Sequence, residues 1–237
     1  MIFRGRRTKL NVNSKLIINN TVIAMEKKTK FLGVIIDENL LFKNHILYVK
    51  GKISRSLGIL YKCRKYFDSD TLLMLYSSFV YPHFTYCLSV WGNTCKTYLK
   101  PLVLLQDRAI RLISGVKKGH DMSILFEKYK LLPFHKIYMY SVQCFNFKFH
   151  HSILPEIFNT FFKRNSDVHQ RNTKSKDLLH VPICRSEPRS ISISFSGVRC
   201  YNYFYSRVNL GSTLNQYKIN LKIYLCTNDV SHILNSP

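Results

Sequence analysis

The chain has 237 residues, 46% of them hydrophobic, and sets 36 Lys+Arg against 13 Asp+Glu for a formal charge of +23. That length and apolar content suffice for a buried core, which excludes a disordered tail, and with no apolar run of roughly 18 residues no membrane span is expected. Such a cation surplus repels itself unless a polyanion is near, so nucleic acid is the first expected partner, ahead of an anionic surface or an acidic subunit.

In chain order, the amino terminus is charged without the apolar run of a signal peptide, so an intracellular protein, nuclear or cytoplasmic, is expected. Residues 15–18 and 22–25 are short β-branched runs flanking Asn19-Asn20-Thr21, which predicts a hairpin. Residues 29–37, TKFLGVIID, predict a third strand closed by the turn cluster Asp37-Glu38-Asn39.

From Phe42 the period changes. Ile46, Val49, Ile53, Leu57 and Leu60 recur at three and four residues while lysines and arginines take other faces, the pattern of an amphipathic helix. Asp68-Ser69-Asp70 offers an N-cap for a second helix over residues 71–91, broken or kinked at Pro82. A third is predicted from about Pro101 to the capping Gly115. Shorter helices follow over 123–129 and from Pro133 to about His150, with a break at Pro155. Residues 165–176 predict an exposed loop, 179–184 and 191–195 extended runs, and 197–204 and 214–225 helices. The expected fold is α+β and mainly α: a small N-terminal antiparallel sheet over 1–40, a helical bundle over 41–116, further helices over 117–164, and a loop with a mixed C-terminal region over 165–237.

Candidate chemistry is sparse. Nucleotidyl transfer needs two metals held by converging carboxylates, and the acids cluster only at Asp37-Glu38 and Asp68/Asp70, where turn formation and helix capping account for them. No Tyr-x-Asp-Asp turn, GxSxG elbow or P-loop is present, so no catalytic residue is expected. Seven cysteines without a CxxC read as reduced core residues, and no structural zinc or other metal site is expected.

FLGVIID, followed by a turn and an amphipathic helix carrying His45, resembles LINE-type (non-LTR) retrotransposon reverse transcriptases of the Jockey- or CR-like kind. The resemblance extends to Leu75-Tyr76 and Pro82, Val90-Trp91-Gly92-Asn93, LQDRAIRLISG, LLPFHKIY, SILPEIF, Asn172-Thr173-Lys174, Arg185, Ser190-Ile191, Gly197 and KINLKIYL. Lys174 stands where the family often has Arg, and Tyr201-Asn202 where a Trp-Asn pair is usual.

The resemblance implies the C-terminal part of an RNA-directed DNA polymerase: the end of the palm as the N-terminal sheet, a helical thumb, and a C-terminal region. Its catalytic aspartates, its Mg and its upstream segments would belong to the complete polymerase, so the chain would bind no cofactor and not polymerise alone. The partners implied are RNA, DNA or their hybrid, and the upstream segments. Backbone contacts are expected from Lys43, Lys50, Lys52, Arg55 and Lys62 on the first helix with Arg108 and Arg111 on the third, and primer-grip-like contacts from Phe31, Leu32 and Gly33. A domesticated or decayed structural protein making protein contacts is the second reading, equally consistent with basic residues that merely cover a solvated helix face.

Overall fold

The computed structural model describes residues 1–5, 16–168, 175–184, 190–208 and 213–234. The fold is α+β and mainly α, with two antiparallel hairpins at the start. Strand β1 (Leu16–Ile18) pairs with β2 (Thr21–Ile23), Ile18 opposite Thr21, around a two-residue turn. Asn19 and Asn20 adopt φ of 48° and 61°, the left-handed pair that a type I′ turn demands and that Asn tolerates.

The predicted strand over 29–37 is instead two strands. β3 (Lys28–Phe31) and β4 (Val34–Asp37) form a second hairpin, Phe31 opposite Val34, with Leu32 and Gly33 as its turn. Their φ values of 43° and 81° reverse the chain. A β-branched run on either side concealed this turn in the sequence. Among the described residues the N-terminal region is therefore two separate two-stranded sheets rather than one.

Helix α1 (Lys43–Cys63) buries Ile46, Val49, Ile53, Leu57 and Leu60 in one stripe, as its period predicts, and packs chiefly on α5 (Lys96–Ser114). The expected helix over 71–91 is three pieces: α2 (Ser69–Phe79), α3 (Tyr81–Thr85) and α4 (Leu88–Trp91). Asp68 caps α2 through the Thr71 N–H at 3.0 Å. Pro82 lies in the first turn of α3, where its missing N–H is not needed, and a left-handed Cys87 (φ 50°) makes the second break. Helix α5 begins a turn before the expected Pro101, which sits inside it, and ends as predicted at Gly115 with φ 71°.

Helices α6 (Met122–Lys128) and α7 (Phe134–His150) follow, then a 3₁₀ turn at Glu156–Phe158 and the short α8 (Asn165–Val168), which replaces the start of the expected loop. The extended run expected over 191–195 is overturned, because α9 (Ile193–Phe204) takes in residues 193–195. Its alternating Ile and Ser mimic a strand. What holds it as helix is α7: Tyr138 and Ser196 share a buried hydrogen bond of 2.8 Å, and the Asn146 side chain donates to the Gly197 carbonyl at 2.9 Å. Helix α10 (Leu214–Thr227) closes the other flank of α7, where Tyr217 stacks on Phe147 at 4.8 Å and donates to Gln143 at 3.1 Å. Residues 172–174 and Arg185, which carry part of the resemblance, lie outside the described residues.

One apolar core extends from Val34 to Ile233, with Trp91 and Tyr76 fully buried in it. At Gly92 an added Cβ would meet Leu88 O and Tyr138 Cδ2 at 2.6 Å each, so only glycine lets α4 lie this close to α7.

Candidate nucleic-acid interface

The β3–β4 hairpin is fixed to the helices at its turn and again within its second strand. At its tip the Tyr86 hydroxyl donates to the Leu32 carbonyl at 2.7 Å, and the Trp91 indole N–H in turn donates to the Tyr86 carbonyl at 2.9 Å. Trp91 meets His45 edge-on, centroids 5.2 Å apart. His45 Nδ1 accepts from the Ile35 N–H at 3.3 Å, returning to the same hairpin. Burial lowers the His45 pKa to about 4, so the ring is neutral and Nδ1 is free to accept.

This circuit holds Phe31 and Leu32 outward, 63% and 74% exposed. Gly33 serves the turn, with the Tyr86 ring 3.3 Å from where its Cβ would stand. Among the three residues expected to act like a primer grip, two are thus presented to solvent and one shapes the turn.

The basic residues expected to form one track are divided. By helical spacing Lys43 and Lys50 share one flank of α1, Arg55 and Lys62 its outer face, and Lys52 the opposite flank. Lys43 lies over the Tyr98 ring of α5 at 5.8 Å, while Lys50 and Lys62 are exposed. Lys52 joins the hairpin: its Nζ stands 4.8 Å from the Tyr48 ring centroid, and Lys30 of β3 approaches the same ring at 5.3 Å. Hydrogen bonding from Lys52 first, and the charges of Lys30 and Lys52, hold the Tyr48 phenol below its usual pKa. Lys52 and Arg55 also act on His83 of α3, whose pKa falls through burial first and those two charges second.

A second basic surface lies on α5. Arg108, Arg111, Leu104 and Lys118 line an open concavity of about 520 Å³. The Arg111 guanidinium reaches the Met122 sulfur at 3.2 Å, and its charge opposes the rise that burial gives Asp107. None of Lys43, Lys50, Lys52, Arg55, Lys62, Arg108 and Arg111 forms a salt bridge with another described residue. Sequence reasoning missed Lys30, Tyr48 and His83, because only the fold brings β3, α1 and α3 together, and Lys118, which the fold sets beside Arg108 and Arg111.

Four of the acids do structural work. Asp37 Oδ1 accepts from the Asn39 and Leu41 N–H groups at 3.2 and 3.0 Å, Glu38 pairs with Arg4 at 2.8 Å, and Asp68 and Asp121 cap α2 and α6. Among the described residues no three His, Cys, Asp or Glu side chains stand where they could hold a metal ion. All seven cysteines are free thiols, and burial pushes that of Cys200 up to about 12, an inert group. No helix among the described residues is long and apolar enough to cross a membrane.

The described residues are thus mainly helical and carry two basic surfaces whose named cations form no salt bridge, one of them beside an apolar hairpin tip. The curated relatives that the chain matches are RNA-directed DNA polymerases of mobile elements. It is 23% identical over 204 residues to a probable RNA-directed DNA polymerase from transposon X-element of Drosophila melanogaster, covering 78% of this chain and 20% of that protein. It is 29% identical over 101 residues to the RNA-directed DNA polymerase from mobile element jockey of Drosophila funebris, covering 41% of this chain and 11% of the relative. The corresponding jockey polymerase of Drosophila melanogaster is 28% identical over 102 residues. The chain thus spans a fifth or less of the length of these relatives. No protein-family model matches it, and no solved structure does.

Proposed function

We propose that the chain is the C-terminal, thumb-like part of a retrotransposon RNA-directed DNA polymerase, holding RNA, DNA or their hybrid by the phosphate backbone and supplying no catalytic carboxylate. One observation carries this: Lys43, Lys50, Lys52, Arg55 and Lys62 of α1 and Arg108 and Arg111 of α5 form no salt bridge with another described residue, in a chain of charge +23. A phosphate backbone neutralises such a surface without base contacts, as a polymerase that accepts any sequence requires. Magnesium and the catalytic aspartates belong, on this reading, to the complete polymerase.

The test is binding of the purified chain to a fluorescent RNA–DNA hybrid across a salt series, beside primer extension with magnesium and nucleotides. Affinity is expected to fall by about 0.9 log unit per log unit of salt for each phosphate neutralised, with no extension. Salt-independent binding would overturn the proposal. So would extension that survives repurification.

A second reading, a structural protein making protein contacts, is favoured by the β1–β2 hairpin, where Leu16, Ile17, Ile18, Val22 and Ile23 are all exposed.

A further inference from the structure

Lys30, Tyr48 and Lys52 come from two elements and converge on one spot. Tyr48 and Lys52 are one turn apart on α1, and Lys30 reaches the same ring from β3. The two ammonium groups stand 5.3 and 4.8 Å from that ring's centroid. Both also act on its hydroxyl, as do no carboxylates.

Arg55 adds a further positive charge, felt together with Lys52 at His83. Among the described residues, the charged groups acting on the Tyr48 hydroxyl and on His83 are all cationic. Like charges gathered around one hydroxyl repel one another, and an aromatic face softens this without neutralising it. An anion placed between the ammonium groups would remove the repulsion.

We propose that Lys30, Tyr48 and Lys52 form a discrete seat for one phosphate group of a nucleic-acid backbone. The proposal rests on the backbone-binding function above and deepens it by naming residues and a stoichiometry. Two ammonium groups and a hydroxyl arriving from different directions suit the several acceptor oxygens of a tetrahedral phosphate. A diester is favoured over free phosphate by the neighbouring residues. Phe31 directly follows Lys30 and, with Leu32, offers exposed apolar surface to the sugar or base attached to that phosphate.

The experiment uses the full chain, with far-UV circular dichroism to confirm folding of each variant. Lys30→Gln/Lys52→Gln is compared with Lys218→Gln/Lys222→Gln, the same charge change on α10, in binding to an RNA–DNA hybrid across salt. The seat variant is expected to lose at least about 10-fold in affinity and about 0.9 from the salt slope, the share of one phosphate, well beyond the α10 variant. Tyr48→Phe changes no charge and is expected to weaken binding about 3- to 10-fold at unchanged slope, which diffuse attraction would not produce. Equal losses in the two lysine pairs, with Tyr48→Phe at wild-type affinity, would overturn the seat.

A parallel titration with inorganic phosphate, followed at the Tyr48 NMR resonances, separates this proposal from the functional one. Saturable shifts that vanish in Lys30→Gln/Lys52→Gln, in a chain that does not bind the hybrid, would sustain a free-phosphate seat while removing the backbone-binding function and the diester with it. Hybrid binding without any seat effect would leave the function standing and remove the seat.

Discussion

The two N-terminal hairpins share a design, three or four residues per strand around a two-residue left-handed turn, and differ in how they meet the rest of the molecule. Every residue of β1 and β2 is exposed, so among the described residues that hairpin rests on its own turn and ladder. A two-stranded hairpin with no third layer is marginal in water. The β3–β4 hairpin buries Val34 and is pinned at Leu32 by Tyr86 and at Ile35 by His45. Local sequence thus makes both hairpins, while helical side chains distant in sequence decide which one is positioned for use.

The largest expected blow to this contrast is Trp91→Ala. Trp91 is fully buried, contacts His45 and Phe134, and supports Tyr86, so it stands behind both anchors of the second hairpin. The loss should be about 4 kcal/mol of unfolding free energy, read by urea denaturation. A cost under about 1 kcal/mol would show that the anchors do not depend on it.

The next effect is pH-dependent. His45 titrates near 4 in the fold against 6.5 for the free side chain, so between those values the unfolded chain binds a proton that the folded chain refuses. Stability from the neutral ring is therefore complete above about pH 6.5 and declines as pH falls toward 4, by up to roughly 3 kcal/mol. Protection of the Ile35 amide, taken relative to its intrinsic exchange rate at each pH, should fall over the same window, because a protonated Nδ1 cannot accept its hydrogen. Other histidines contribute to any acid sensitivity, so the decisive comparison is His45→Asn. A variant whose stability falls with acid as steeply as the wild type's would remove His45 from this role.

The smallest effect belongs to the first hairpin. Ile17→Thr, at a position 59% exposed, should change global stability by less than about 0.5 kcal/mol in the same urea measurement. A larger loss would mean that β1–β2 is held by more than its own ladder.

What was legible in the sequence follows the range of the interactions that determine it. The stripe of α1, the Asp68 cap and the Gly115 stop are local, and each stands where the residues placed it. The Leu32-Gly33 turn was hidden because a Gly between β-branched runs reads as well inside a strand as between two. Ile191 to Phe195 alternates like a strand, yet α7 supplies the packing that makes the segment from Ile193 helical, and a window of five residues cannot contain that information. The same holds for the interface. Lys52 and Arg55 stood out as basic residues on a helix, whereas Lys30, Tyr48 and His83 gain their meaning only from contacts spanning β3 to α3.

Helix α7 has a consequence in time. Its Phe147 and Gln143 are covered by Tyr217 of α10, which leaves the ribosome some 70 residues later, on the order of 4 to 14 seconds at ordinary synthesis rates. Throughout that interval the nascent chain carries an apolar flank with nothing of its own to cover it. A chaperone that recognises exposed aromatic helices would find its substrate there, and synonymous codon changes that slow translation between α7 and α10 would lengthen its opportunity.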